Sequence, residues 1–106
     1  MPWWIDSDQL LSVSGLRDPT TGNYINTATV RASMEDVTGA AVSGQTWPLT
    51  LDYTPASNGD YTGLLEDGRM MTEGQIYWMD LTADAGGDLI KHWRWPDVAR
   101  YRGKDD

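Results

Sequence analysis

Alternation of apolar and polar residues is the recurring pattern along this chain, and it predicts β-strands. The pattern is clearest in residues 27–34, and it returns in residues 46–53, 61–65 and 76–83. No window of eleven residues keeps an apolar period of 3.6 residues, so no helix is predicted. Residues 10–16, 89–95 and 98–102 complete a set of about seven short strands.

The phase of the alternation predicts which side chains face a core. These inward positions are Ala28, Val30, Ala32, Met34, Trp47, Leu49, Leu51, Tyr53, Tyr77, Met79, Leu81 and Ala83. Pro48 is expected at a strand start or edge, and Pro96 is expected to break or bulge the last strand, because proline lacks an N–H.

Turn signals separate these strands every 8–12 residues, a spacing typical of a sandwich or small barrel. We therefore predict an all-β fold, a single antiparallel β-sandwich of about seven strands. Residues 10–102 form this domain, residues 1–9 are predicted as an N-terminal arm, and residues 103–106 as a C-terminal tail.

Composition and net charge restrict the kinds of partner that this protein can bind. A length of 106 residues fits one domain, and the absence of Cys excludes disulfides and thiolate chemistry. The net charge of -8 argues against unaided binding to nucleic acid or to an anionic membrane. The apolar runs are too short for a membrane-spanning helix.

The charge is unevenly distributed along the chain. Residues 1–90 carry 13 acids and 3 Lys or Arg, a net charge of -10, whereas residues 91–104 carry five bases and one acid, a net charge of +4. Identical subunits with two oppositely charged regions can dock head to tail. The alternative is a solvated edge strand on which Lys and Arg discourage unwanted pairing.

Aromatic residues strengthen the case for an interface. Six Trp and five Tyr without any Phe must supply all aromatic packing. Two adjacent Trp in a free arm would favour aggregation unless another chain covered them. The predicted partner-binding residues are those of the arm and the basic strand: Trp3, Trp4, Lys91, Trp93, Arg94, Trp95, Arg100 and Arg102.

Two stretches resemble bacterial and phage immunoglobulin-like domains. Gly59-Asp60-Tyr61 followed by Gly74-Gln75-Ile76-Tyr77 is similar to the paired G-x-Y and G-x-x-Y strands of these domains, and residues 35–44 resemble their D-x-x-G-x-x-V-x-G turn. The resemblance covers residues 27–83 and implies that the all-β domain is a single immunoglobulin-like antiparallel β-sandwich of about seven strands. The whole chain also resembles small virion proteins of tailed phages and prophages.

That resemblance implies a non-enzymatic structural protein located in the virion after synthesis in the bacterial host cytoplasm. Its partners would be other capsid or tail proteins in a homo-oligomer or symmetric array, with a role in capsid decoration or in the head–tail connection or tail. The alternative is a carbohydrate-binding or adhesion module that uses exposed tryptophans.

Catalytic chemistry has little support in the sequence. His92 is the single histidine and lies within a strand, with no G-x-S-x-G elbow in the chain. Asp84 and Asp88 could hold a cation but are ordinary hairpin residues, and the acids at 60, 66 and 67 lack any sign of a cleft. We therefore expect no catalytic residue, no metal and no cofactor.

Overall fold

The computed structural model describes residues 1–87 and 89–103. These residues contain seven β-strands and no helix. The strands in chain order are β1 (Trp3–Ile5), β2 (Gln9–Val13), β3 (Thr29–Asp36), β4 (Leu49–Tyr53), β5 (Tyr61–Leu65), β6 (Ile76–Asp84) and β7 (Ile90–Tyr101).

All seven strands belong to one hydrogen-bonded sheet in the order β1-β7-β6-β3-β4-β5-β2. The sheet curls almost into a barrel, so that its two halves, β2-β5-β4 and β3-β6-β7, enclose a single core. The predicted all-β, sandwich-like domain is confirmed. One pair departs from the antiparallel prediction, because β1 runs parallel to β7 with Trp3 opposite Ala99.

Alternation predicted the core correctly. Val30, Met34 and Met79 are almost completely buried, and the other predicted inward side chains are buried or pack against the core. The longest strands, β6 and β7, pair along nine residues, and β3 pairs with β6 along eight. These three strands therefore form a broad, rigid platform with one face in the core and the other in solvent.

The N-terminal segment, predicted as an arm, is part of this fold. Trp3 is only 3% exposed, its indole Nε1–H donates to the Tyr77 carbonyl at 3.0 Å, and its ring packs 6.0 Å from that of Trp95. A strand of three residues is too short for periodicity to reveal, and its partner lies at the far end of the chain. Of the predicted C-terminal tail, only Gly103 lies within the described residues, and it is exposed.

Pro96 does not interrupt β7. The Ala99 N–H points toward β6 and donates a hydrogen bond to the carbonyl of Gln75, the residue just before that strand. Because N–H groups alternate between the two sides of a strand, residue 96 has its nitrogen on the side away from β6. Proline therefore removes no ladder hydrogen bond at this position.

Two tyrosines fix the corners between strands. The Tyr77 hydroxyl accepts a hydrogen bond from the Thr72 N–H at 2.8 Å, just before β6 begins. The Tyr61 hydroxyl donates to the Ile25 carbonyl at 2.7 Å and accepts from the Ala28 N–H at 3.1 Å. Each ring is buried, so the hydroxyl anchors a loop from within the core.

A buried arginine ties β1 to the loop that follows β5. Arg69 is 2% exposed and donates to the carbonyls of Glu66, Trp4 and Ser7 at 2.9, 3.2 and 3.3 Å. Burial lowers the pKa of the Arg69 guanidinium, while the nearby Asp8 carboxylate opposes that shift. The guanidinium thus donates to three main-chain carbonyls the hydrogen bonds that water would donate at an exposed joint.

Candidate protein–protein interface

The outer face of β6 and β7 carries apolar side chains toward one end and charged side chains toward the other. Cross-strand pairs on this face place Val98 beside Ile76, Pro96 beside Trp78, and Arg94 beside Asp80. Residues at alternate positions of paired strands share a face and touch their neighbours. The face therefore has an apolar half and a charged half.

The charged half is an ion network around Arg94. The Arg94 guanidinium contacts the Glu35 carboxylate at 2.6 Å, bonds to Asp80, and lies 4.8 Å from the centre of the Trp78 ring. Asp80 also contacts His92 at 3.0 Å. The hydrogen bond to Glu35 raises the pKa of Arg94, against a smaller opposing effect of desolvation. This network holds Arg94 against the protein's own surface.

The apolar half consists of Ile76, Trp78, Pro96 and Val98, which we call the β6–β7 patch. Ile76 is 46% exposed, Pro96 is exposed, and the other two side chains are partly buried. Two adjacent apolar cross-strand pairs on rigid strands form a flat surface of the kind that protein interfaces bury at their centre.

Two arginines border this patch on the side of β1. Arg100 lies opposite Trp4 in the parallel pairing and is exposed, and the Arg102 guanidinium lies 5.1 Å from the centre of the Trp4 ring. Neither arginine forms an ion pair with any residue within 1–87 or 89–103. The border of the β6–β7 patch is therefore positively charged on the side of β1, where it can meet carboxylates of a partner.

The remaining predicted partner-binding residues face the interior. Trp93 and Trp95 pack against the core, and Trp3 is buried in it. Lys91 shares their phase and lines a mostly apolar cavity of about 50 Å³, together with Leu16 and Ile25. In this conformation Trp3 contacts only its own chain, because its indole fills the core beneath β7.

The structure thus divides the predicted residues into two groups. Trp4, Arg94, Arg100 and Arg102 lie together on or beside the outer face of β6 and β7, while Trp3, Lys91, Trp93 and Trp95 lie on the inner side of the sheet. The predicted partner-binding residues include none of the four patch residues, although the alternation phase of β6 marks Ile76 and Trp78 as outward.

A second exposed apolar pair lies on the opposite outer face, on β2 and β5. Leu10 and Leu64 face each other across the strands and are 66% and 47% exposed. Asp8, Asp52 and Glu66 surround this Leu10–Leu64 patch, and all three are exposed. Among the described residues that share these outward positions on β2, β4 and β5 there is no Lys or Arg.

The six tryptophans offer no exposed row for stacking sugar rings. None is among the exposed large hydrophobic residues, and the guanidinium groups of Arg94 and Arg102 cover Trp78 and Trp4. The Trp47 indole donates to the Val42 carbonyl at 2.7 Å and packs against the core. These contacts do not favour the carbohydrate-binding alternative.

Two residues considered for catalysis, His92 and Asp60, make structural contacts instead. His92 belongs to the Arg94 network, and Asp60 accepts a hydrogen bond from the Gly15 N–H at 2.9 Å. Asp88 lies outside the described residues. Within the described chain, no three His, Cys, Asp or Glu side chains form a group that could hold a metal ion. The same residues include no helix able to cross a membrane.

Comparisons of this chain with protein-family models, with curated proteins and with solved structures found no match.

Proposed function

We propose that this protein is a non-enzymatic structural subunit of a tailed-phage or prophage particle that acts through protein–protein contacts. It would serve as a capsid decoration subunit or as a component of the head–tail connection or tail. The observation that carries the contact role is the β6–β7 patch bordered by Arg100 and Arg102. An apolar centre with a charged border is the usual anatomy of a protein interface.

The strand arrangement supports the immunoglobulin-like part of the proposal. Counting strands from β2 as B to β7 as G, the halves of the sheet have the orders B-E-D and C-F-G, as in immunoglobulin sandwiches. The hydrogen bond between the Tyr77 hydroxyl and the Thr72 N–H has the position and direction of the tyrosine corner at the start of strand F. Both features agree with the resemblance of residues 27–83.

The mechanism follows from rigidity and repetition. β6 and β7 are the longest strands, and the Arg94 network fixes charged side chains on their outer face. A rigid surface loses little conformational entropy when a partner docks. In a particle that carries many copies, weak single contacts combine into strong attachment because the second contact forms at high effective concentration.

Purified particles provide the test. Particles from the phage or lysogen that carries this gene are separated on a density gradient and analysed by mass spectrometry. The chain should sediment with the particles at a fixed ratio to the major capsid protein. Recovery of the chain only in the soluble lysate, with normal particles and titre after deletion of the gene, would refute the proposal.

A pair of charge variants connects the test to the patch. Arg100→Glu reverses a charge at the border of the β6–β7 patch, while Arg31→Glu makes the same change at an exposed position on β3. Arg100→Glu should reduce incorporation into particles, and Arg31→Glu should not. Equal incorporation of both variants would exclude the β6–β7 patch as the contact.

A further inference from the structure

We propose that the β6–β7 patch binds the Leu10–Leu64 patch of a second copy of this chain, head to tail. The inference rests on the proposed function, since it names the partner of the same surface. Each patch is a group of apolar side chains on paired strands with exposed members, Ile76 and Pro96 in one patch and Leu10 and Leu64 in the other. Each patch could therefore cover the apolar centre of the other.

Charge complementarity between the two patches indicates that the partner of each patch is a second copy of the chain. The border of the β6–β7 patch contributes Arg100 and Arg102, and the border of the Leu10–Leu64 patch contributes Asp8, Asp52 and Glu66. Two β6–β7 patches facing each other would bring arginines together, and two Leu10–Leu64 patches would bring carboxylates together. Like charges disfavour those symmetric contacts, so the head-to-tail pairing is the one that electrostatics favour.

The placement of the patches allows the contact to repeat. They lie on the outer faces of the two opposed halves of the sheet, β3-β6-β7 and β2-β5-β4. One copy can therefore use both patches at once with different neighbours. Such a heterologous contact generates a closed ring when the rotation closes, and an open row when it does not.

The small size of each patch implies a weak single contact. A few exposed side chains on each side bury less area than a standard stable interface. We expect self-association to appear only at high protein concentration in solution. In an array on a larger assembly, the same contact would be strengthened by multivalency.

Complementary charge variants test the pairing. Arg100→Glu with Arg102→Glu reverses one border, and Asp52→Lys with Glu66→Lys reverses the other. The four side chains are exposed, and none accepts or donates a hydrogen bond to another described residue. Sedimentation velocity over a concentration series measures self-association, and circular dichroism confirms that each variant remains folded.

Each double variant should self-associate about tenfold more weakly than the wild type, because attraction at the border becomes repulsion. An equimolar mixture of the two variants should recover the association, since each mixed contact again joins opposite charges. The lysine variant is informative by itself. Its net charge falls in magnitude from -8 to -4, which would promote association if net charge alone were decisive.

Two results would overturn the inference. The first is a wild-type chain that remains monomeric at the highest soluble concentration, which would assign the patches to a different partner. The second is self-association that neither double variant weakens. Removal of the apolar centre by Leu10→Ser with Leu64→Ser is an independent variant, and it should also dissociate the complex. Because these measurements need no particle, their failure leaves particle incorporation as a separate test of the proposed function.

Discussion

Replacing Trp3 with alanine removes a core side chain, whereas the same change at Trp4 removes a side chain from the outer face. The two residues are adjacent in β1 and have opposite alternation phases. Trp3 is 3% exposed and bonds to the Tyr77 carbonyl, while Trp4 is partly exposed and contacts Arg102. The pair is therefore a matched test of how the N-terminal segment is held.

The cost of losing Trp3 can be estimated from its burial. A buried tryptophan removes about 200 Å² from water, which at ~25 cal/mol per Å² corresponds to about 5 kcal/mol. The hydrogen bond to Tyr77 adds about 1 kcal/mol. Detachment of the short β1 strand limits the loss, so we expect Trp3→Ala to destabilise the fold by about 3–5 kcal/mol. Trp4→Ala should cost about 1 kcal/mol or less.

Urea unfolding followed by circular dichroism measures both values. In thermal unfolding, Trp3→Ala should lower the midpoint by about 12–20 °C, since about 4 °C corresponds to 1 kcal/mol in a domain of this size. Trp4→Ala should move it by a few degrees at most. Equal losses for the two variants, or a loss below about 1 kcal/mol for Trp3→Ala, would refute the burial of the N-terminal segment.

Further predictions concern a buried charge, a turn and a close approach. Arg69→Met should lower the unfolding free energy by about 3 kcal/mol, because three carbonyls lose a charged donor; a loss below about 1 kcal/mol in urea unfolding would show that water replaces the guanidinium. Hydrogen bonds, first that of the Thr38 hydroxyl, lower the pKa of Asp36. Asp36 therefore stabilises the fold above its unfolded-state pKa of about 3.9, and this contribution is lost as the pH falls through the folded-state pKa. Asp36→Asn should be less stable than wild type at pH 7, with the difference lost as the pH falls through the folded-state pKa of Asp36; a constant difference in a pH series of unfolding curves would contradict this assignment. A Cβ on Gly44 would lie 1.9 Å from a main-chain oxygen, whereas one on Gly39 meets nothing within 4 Å, and both have positive φ. Gly44→Ala should therefore cost at least about 2 kcal/mol more than Gly39→Ala in the same assay.

Local periodicity predicted most of the fold because most of the sheet is built from strands that alternate cleanly. The inward set of β6, which includes Tyr77 and Met79, is fixed by a two-residue repeat that any half-buried strand must show. The same reasoning did not predict β1. Its pairing with Ala99 joins the two ends of the chain, and no local pattern encodes a contact over that distance.

The candidate site was predicted only in part, for a related reason. The burial of Arg69, which lies outside the candidate interface, was not predicted either. Arginine usually prefers solvent, and this burial depends on carbonyls that tertiary structure brings together. The Leu10-Leu11 and Leu64-Leu65 doublets contain one outward and one inward leucine each. Alternation from Val13 and Tyr61 predicts which leucine of each doublet points outward. The pairing of Leu10 with Leu64, however, depends on the register of β2 and β5, which only the structure gives.

The parallel pairing of β1 with β7 also has a consequence for synthesis. Trp3 is translated before the residues that it contacts across the fold, and its strand partner Ala99 is translated last among them. At 5–20 residues per second, the nascent chain waits roughly 5–20 s with this indole unburied. The Trp3 indole is therefore open to non-native apolar contacts until β7 has been made, and slow codons in the β7 region would prolong that exposure.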